Sequence, residues 1–136
     1  MEEFWNQPFN WGLLMAFDEA APFDPPTLSR DGAVQATRTC LSVPVLHSQD
    51  VETPQGLGPD DPLPQAEVQV TVKVTVDDLA DAEFACLLSC PTGRLQIGDA
   101  DAFRVVDVPR GNLRVQVRRD HPQFAEDVVM HIRGNG

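Results

Sequence analysis

The chain has 136 residues, 42% of them hydrophobic, with 12 prolines and no tyrosine. That length supports one domain, residues 1–136, with a hydrophobic core that needs no metal or disulfide staple. Asp and Glu number 21 against 10 Lys and Arg, a net charge of −11. Such a charge repels nucleic acid and anionic membranes and favours a basic protein partner.

Trp11 to Phe17 is the first strand candidate, and Pro22 to Pro26 reads as irregular chain. Ala33 to Leu46 is expected to form one long or two short strands broken near Pro44. A proline there belongs at a sheet edge or a bulge, because it has no N–H for a ladder. His47 to Gln65 contains Pro54, Pro59, Pro62, Pro64, Gly56 and Gly58 together with Asp50, Glu52, Asp60 and Asp61. A structureless loop of this length inside a compact domain is usually functional or disordered.

Glu67 to Val76 reads EVQVTVKVTV. Its valines alternate without a break with polar residues, the pattern of a strand with one dry and one wet face. Asp77 to Glu83 is compatible with one short helical turn. Phe84 to Ser89 is a strand candidate, closed by the turn Cys90-Pro91-Thr92-Gly93. Gly93 to Ile97 alternates and leads into the hairpin turn Gly98-Asp99-Ala100-Asp101. Phe103 to Val108 and the alternating run Leu113 to Val117 flank Pro109-Arg110-Gly111, which predicts a hairpin. Asp127 to Arg133 is the last strand candidate. The predicted fold is all-β: an antiparallel β-sandwich of about seven to nine strands with a long Pro/Gly-rich acidic loop.

The charge is unevenly placed along the chain. Residues 1–83 hold fifteen acids and three bases (Arg30, Arg38, Lys73), whereas 84–136 hold six acids and seven arginines. The three cysteines, Cys40, Cys86 and Cys90, are an odd number, which argues against a secreted disulfide scaffold. Met1-Glu2-Glu3-Phe4-Trp5 lacks the basic-then-apolar pattern of a secretory signal. No apolar run approaches the roughly 18 residues of a membrane-spanning helix. A reducing cytoplasm is the expected location.

Chemistry-bearing patterns are sparse. His47, His121 and His131 pair with no nucleophile, and there is no Gly-x-Ser-x-Gly elbow. Cys86 and Cys90 fall on one face of a strand, but no further ligand follows at short spacing, so they read as small buried hydrophobes. Asp99 and Asp101 lack the glycine and distal acid of a calcium loop. Paired carboxylates for glycoside hydrolysis are a tertiary property that spacing in sequence does not give; such a groove usually carries exposed aromatics, and here the two Trp and seven Phe lie mostly near the N-terminus. No glycine-rich loop leads into a helix to hold phosphate. Arg110, Arg114, Arg118 and Arg119 form a small basic stripe, with Arg114 and Arg118 on one wet face, most simply read as cross-strand partners for acids. No catalytic, cofactor-binding or metal-binding residue is assigned.

The run from Glu83 to Ile97 followed by Arg104 to Val117, with Val106-Asp107-Val108-Pro109-Arg110-Gly111-Asn112-Leu113-Arg114-Val115 at its centre, resembles the competence protein J (ComJ) family. Leu113 stands where that family usually carries an aromatic. The resemblance implies a β-sandwich and, for the family's named member, inhibition of a DNA-entry nuclease. It carries no inhibitory residue over to this chain.

Three functions are compatible with these features. The first is an acidic protein-binding module, an inhibitor or immunity-type protein acting on a basic nuclease or toxin, with no enzymatic activity. Its contact residues would be Asp50, Glu52, Asp60 and Asp61 on the flexible loop. The second is a small structural or accessory sandwich with no inhibitory role. The third is an enzyme or small-ligand binder, which a concave apolar pocket with convergent polar groups would favour.

Overall fold

A computed structural model of the chain describes residues 1–50, 56, 58–61 and 64–135. These form ten strands and no helix: β1 (Glu2–Gln7), β2 (Leu13–Asp18), β3 (Gln35–Ala36), β4 (Cys40–Pro44), β5 (Val68–Val74), β6 (Phe84–Cys90), β7 (Arg94–Asp99), β8 (Ala102–Asp107), β9 (Gly111–Arg119) and β10 (Asp127–Gly134). They make two five-stranded sheets, in the orders β1-β5-β10-β9-β6 and β3-β4-β2-β7-β8. The architecture is therefore all-β, as expected, with one strand more than the upper expectation. β1 is the element that the sequence patterns left out.

The two sheets enclose one core. Its residues include Leu14, Ala16, Leu41, Val43, Leu95 and Ile97 from one sheet and Val70, Val72, Val115, Val117, Val128 and Met130 from the other. β5 shows how the alternation works. Val68, Val70 and Val72 are fully buried, while Gln69, Thr71 and Lys73 face outward and are half-buried. The alternation outlasts the strand, however, because Val74 is only half-buried and Val76 is exposed.

Three expectations are corrected. Phe103–Val108 and Leu113–Val117 do not form a hairpin: β8 pairs along its length with β7, and β9 lies between β6 and β10 in the opposite sheet. The Pro109-Arg110-Gly111 segment instead carries the chain from one sheet to the other, with Gly111 at φ 102°. Both runs turn apolar residues inward, and that pattern is the same whether two strands lie side by side or face each other across the core. Secondly, Asp77–Glu83 contains no helical turn. It is a strap across the outer face of the first sheet, held where Asp77 O meets His131 Nδ1 (3.1 Å), Gln116 Oε1 accepts from Leu79 N (3.1 Å) and Arg118 Nη1 donates to Ala80 O (2.7 Å). This strap brings the chain back so that β6 starts at the end where β5 also starts. Thirdly, the sheets are not purely antiparallel, since β5 and β10 run parallel.

The break in 33–46 falls at Thr37–Thr39 and not near Pro44 as expected; there Thr37 Oγ1 accepts from Cys40 N at 3.1 Å. Pro44 is the last residue of β4, opposite Leu13 and beyond the reach of β3, where its missing donor costs nothing. The turn at Asp99–Ala102 is the expected hairpin: Asp99 Oδ1 accepts from Asp101 N (2.9 Å) and Ala102 N (3.1 Å). The Cys90–Gly93 turn closes with Gly93 N donating to Cys90 O at 3.2 Å.

Candidate functional site

Of the four acids expected to contact a partner, Asp50, Asp60 and Asp61 are exposed, and Glu52 lies outside the described residues. Asp50 closes a short turn by donating its N–H to His47 O (2.9 Å), and Asp61 Oδ2 accepts from Gly58 N (2.8 Å). No hydrogen bond or ion pair joins Asp50, Asp60 and Asp61 to one another among the described residues.

The topology brings further acids to the end of the sandwich where this loop leaves and re-enters the fold. β2 begins, β4 ends and β7 turns into β8 at the same end of the sandwich where β1 ends, β5 begins and β9 turns into β10. Four connections therefore meet there: 8–12, 45–67, 99–101 and 120–127. They are knitted together by hydrogen bonds. Asn10 N donates to Asp99 Oδ2 (2.8 Å), Asn10 Nδ2 to Asp101 Oδ2 (3.0 Å) and Ser48 Oγ to Asn10 Oδ1 (2.8 Å). Ser48 N donates to Phe9 O (2.9 Å), Leu46 N to Ala125 O (3.0 Å) and Val45 N to Gly12 O (2.9 Å). Phe9, Ser48, Asp99 and Ala125 are buried beneath this layer, so its base belongs to the core.

These connections contain no Lys or Arg and ten of the chain's 21 acids: Asp50, Glu52, Asp60, Asp61, Glu67, Asp99, Asp101, Asp120, Glu126 and Asp127. Asp99 is spent inside the fold as an acceptor for the 8–12 loop and its own turn. Asp120 Oδ1 accepts from Glu126 N (2.9 Å) and Asp127 N (3.2 Å), which closes the β9–β10 connection. Asp50, Asp60, Asp61, Glu67, Asp101, Asp120 and Glu126 are exposed, and none forms an ion pair among the described residues. The ion pairs present lie elsewhere, on Lys73, Arg94, Arg104, Arg119 and Arg133. Two aromatics stand out of this acidic end: Trp11, 68% exposed, and Phe124, 54% exposed. Exposed aromatics on a hydrogen-bonded base are the residue type that dominates binding energy at protein interfaces. Division of the chain into an acidic N-terminal part and a neutral C-terminal part conceals this end, because Asp101, Asp120 and Glu126 come from the second part. One signal was legible: all four connections lack a basic residue.

The remaining candidates are absorbed by the fold. Cys40 and Cys90 are buried and Cys86 is half-buried, and all three are free thiols. Burial pushes the Cys40 and Cys86 thiols up to about 11 and the Cys90 thiol, which donates to Asp18, up to about 12, so all three are held as neutral thiols. Among the described residues no group of three or more His, Cys, Asp or Glu side chains is placed to hold a metal ion. The arginine stripe is divided. Arg119 makes a two-point bond to Glu83 (2.8 and 3.1 Å) and donates to Gly32 O and Pro44 O, while Arg118 holds the strap at Ala80 O.

No protein-family model matches the chain, and no curated protein matches it in sequence. Solved structures do match. The crystal structure of ComJ, inhibitor of the DNA degrading activity of NucA, from Bacillus subtilis, aligns with a TM-score of 0.57 at 10% identity, over 99% of this chain and 99% of that one. The product of crocagin biosynthetic gene J aligns with a TM-score of 0.48 at 11% identity, over 99% and 96% of the two chains. At 10% identity the first likeness speaks of backbone and not of residues, and what it establishes is a ComJ-like fold.

Proposed function

We propose that this chain is an acidic, non-enzymatic protein-binding module that inhibits a basic nuclease in the cytoplasm. The observation that carries the reading is the acidic end: exposed carboxylates without ion pairs among the described residues, no Lys or Arg in the four connections that build it, and Trp11 and Phe124 rising from the same layer. The ComJ-like fold supports it, since ComJ is an inhibitor of a DNA-degrading activity. A nuclease cleft is basic because it must hold phosphates. Carboxylates spread over the end of a sandwich present the same sign of charge and steer the encounter, while the aromatics slow dissociation. Asp50, Glu52, Asp60 and Asp61 act in this reading with Asp101, Asp120 and Glu126.

The test begins with a low-salt pull-down from the native cytosol and continues with any basic nuclease recovered. Plasmid degradation by that nuclease should stop near one equivalent of the chain. Replacement of Asp50, Glu52, Asp60 and Asp61 by Asn or Gln should leave the fold intact, slow association and flatten its salt dependence, with dissociation changed less. Retention of no nuclease, or a retained nuclease that still degrades plasmid at saturation, would leave a structural sandwich as the remaining account.

A further inference from the structure

Four strand edges close the two sheets, and three are guarded. β1 carries Glu2 and Glu3, with Gln7 donating to Ala102 O across to the other sheet (3.2 Å). β8 carries Arg104, ion-paired to Glu3 (3.7 Å), and Asp107. β3 has two residues. β6 differs: Phe84–Cys90 has seven residues with no charge and no proline. Natural sheets protect their edges with short strands, charges, prolines or covering segments, because an open edge is a template for another strand.

Part of the β6 edge is closed and part is open. Asn135 N donates to Asn112 O on the β10 side of β9 (2.8 Å), so Leu113, Val115 and Val117 bond toward β6, and Leu88, Cys86 and Phe84 bond back to them. Ala85, Leu87 and Ser89 therefore turn their N–H and C=O outward. At Ser89 the place is taken, since its N–H donates to Arg38 O at 2.8 Å. At Ala85 and Leu87 the outward groups have no backbone partner among the described residues. Beside this stretch runs a groove of about 440 Å³ between β6 and the β3–β4 turn. Ala36, Phe84 and Cys86, which pack against the core, give it an apolar wall. Arg38 lines the groove at its closed end, is exposed, and forms no ion pair among the described residues. Glu83, at the other end of the strand, is held by Arg119 and leaves Arg38 uncompensated.

We propose that this groove binds the C-terminus of a partner protein, an extended tail ending in an apolar residue and a free carboxylate, which adds to β6 as a short parallel strand. The unpaired N–H and C=O groups require a peptide backbone, which an alkyl carboxylate lacks. The Arg38 backbone at Ser89 stops any added strand, so the occupant must end there. The Arg38 side chain beside that stop favours an anion, so the end is the carboxyl end and the tail runs in the direction of β6. A register follows. The next-to-last residue lies beside Ala85, which donates to the carbonyl before that residue and accepts from the N–H of the last one. The terminal carboxylate then accepts from Leu87 N–H. Leu87 and Ser89 are roughly 7 Å apart along the strand, a distance that an extended arginine side chain spans. The last side chain shares a face with Cys86 and so points into the groove, toward Phe84 and Ala36. Ser89 lies at the end of β6 remote from the acidic end, so this contact is separate from the acidic one.

A pool of hexapeptides, Gly-Ser-Gly followed by three randomised positions, tests the assignment when passed over the immobilised full chain, once with free C-termini and once as C-terminal amides. Free-acid peptides with an apolar last residue should be enriched, and the amides retained at least about tenfold less. A resynthesised enriched peptide should shift the amide resonances of Ala85 and Leu87. Arg38→Gln, on an exposed side chain, should remove the preference for the free acid. Leu87→Pro deletes the N–H assigned to the carboxylate and should weaken that peptide at least about tenfold with unchanged far-UV circular dichroism. If the proline variant fails to fold, Arg38→Gln carries the test. Retention of neither pool, equal retention of both, or an unchanged preference in Arg38→Gln overturns the proposal. Displacement of the peptide by an equal concentration of octanoate would mark a site for simple carboxylates and overturn the strand pairing.

Discussion

Asp18, fully buried at the end of β2, gives a stability prediction that follows from counted bonds. Its Oδ1 accepts from Ala20 N (2.8 Å) and Ala21 N (2.9 Å). Its Oδ2 accepts from Thr92 N (2.9 Å), Thr92 Oγ1 (2.7 Å) and Cys90 Sγ (3.2 Å). One carboxylate thus pins the start of the β2–β3 connection and the crossover between β6 and β7. Burial raises its pKa, but the hydrogen bonds from Thr92, Ala20 and Cys90 outweigh it and lower the value from 3.8 to about 2. At about 1.4 kcal/mol per pH unit, that difference is worth roughly 2.5 kcal/mol of stability near neutrality. Because the folded value is the lower one, this stability is complete above about pH 4 and is lost as the pH falls through about 2. Asp18→Asn turns an amide NH₂ toward the Thr92 and Cys90 donors and leaves them facing another donor, at a cost of about 2–4 kcal/mol. Urea unfolding at pH 7, 4, 3 and 2.5 should show the variant less stable by that amount at pH 7, with the gap narrowing steadily below pH 4. A gap under about 1 kcal/mol at pH 7, or one that does not change with pH, would refute the assignment of these bonds to a charged acceptor.

Other outcomes follow from burial and contact. Val70→Asp should unfold or aggregate the chain, because Val70 is fully buried between Trp5 and Val128 and an unpaired charge there costs several kcal/mol; Thr71→Asp on the outer face should cost under about 1 kcal/mol by thermal melting. Gly98→Ala should destabilise by roughly 1–3 kcal/mol in the same assay, since an added Cβ would sit 2.9 Å from Phe103 Cα and still closer to Ala102 O on the facing strand. Trp11→Ala should leave the melting temperature unchanged within about 2 °C and speed dissociation from a captured partner at least about tenfold, because the ring is 68% exposed in the free chain. A strong chelator should leave the melting temperature where it is; a fall of more than about 5 °C would indicate a structural metal.

The strands that period-2 patterning marked are present, because alternation of apolar and polar residues is a local consequence of one dry face. Val68, Val70 and Val72, and the alternating runs of β9 and β10, needed nothing but their own residues to be read. The Asp99 turn and the Cys90–Gly93 turn were legible for the same reason, since their bonds close within a few residues. Partnership was not. Whether Leu113–Val117 lies beside Phe103–Val108 or across the core from it depends on which sheet each strand joins, and the inward-facing valines look identical in both cases. The strap at 77–83 took its course from Arg118, Gln116 and His131 on strands remote in sequence. The same holds for charge. Asp50, Asp60 and Asp61 were visible as an acidic loop, but that this loop leaves and re-enters the sandwich at the end where Asp101, Asp120, Glu126, Trp11 and Phe124 lie required the chain to return four times to one end. Composition determined that the protein is acidic; only the strand order decided that four acid-bearing connections meet at one end, because like charges far apart in sequence are brought together by a backbone whose core burial outweighs their screened repulsion.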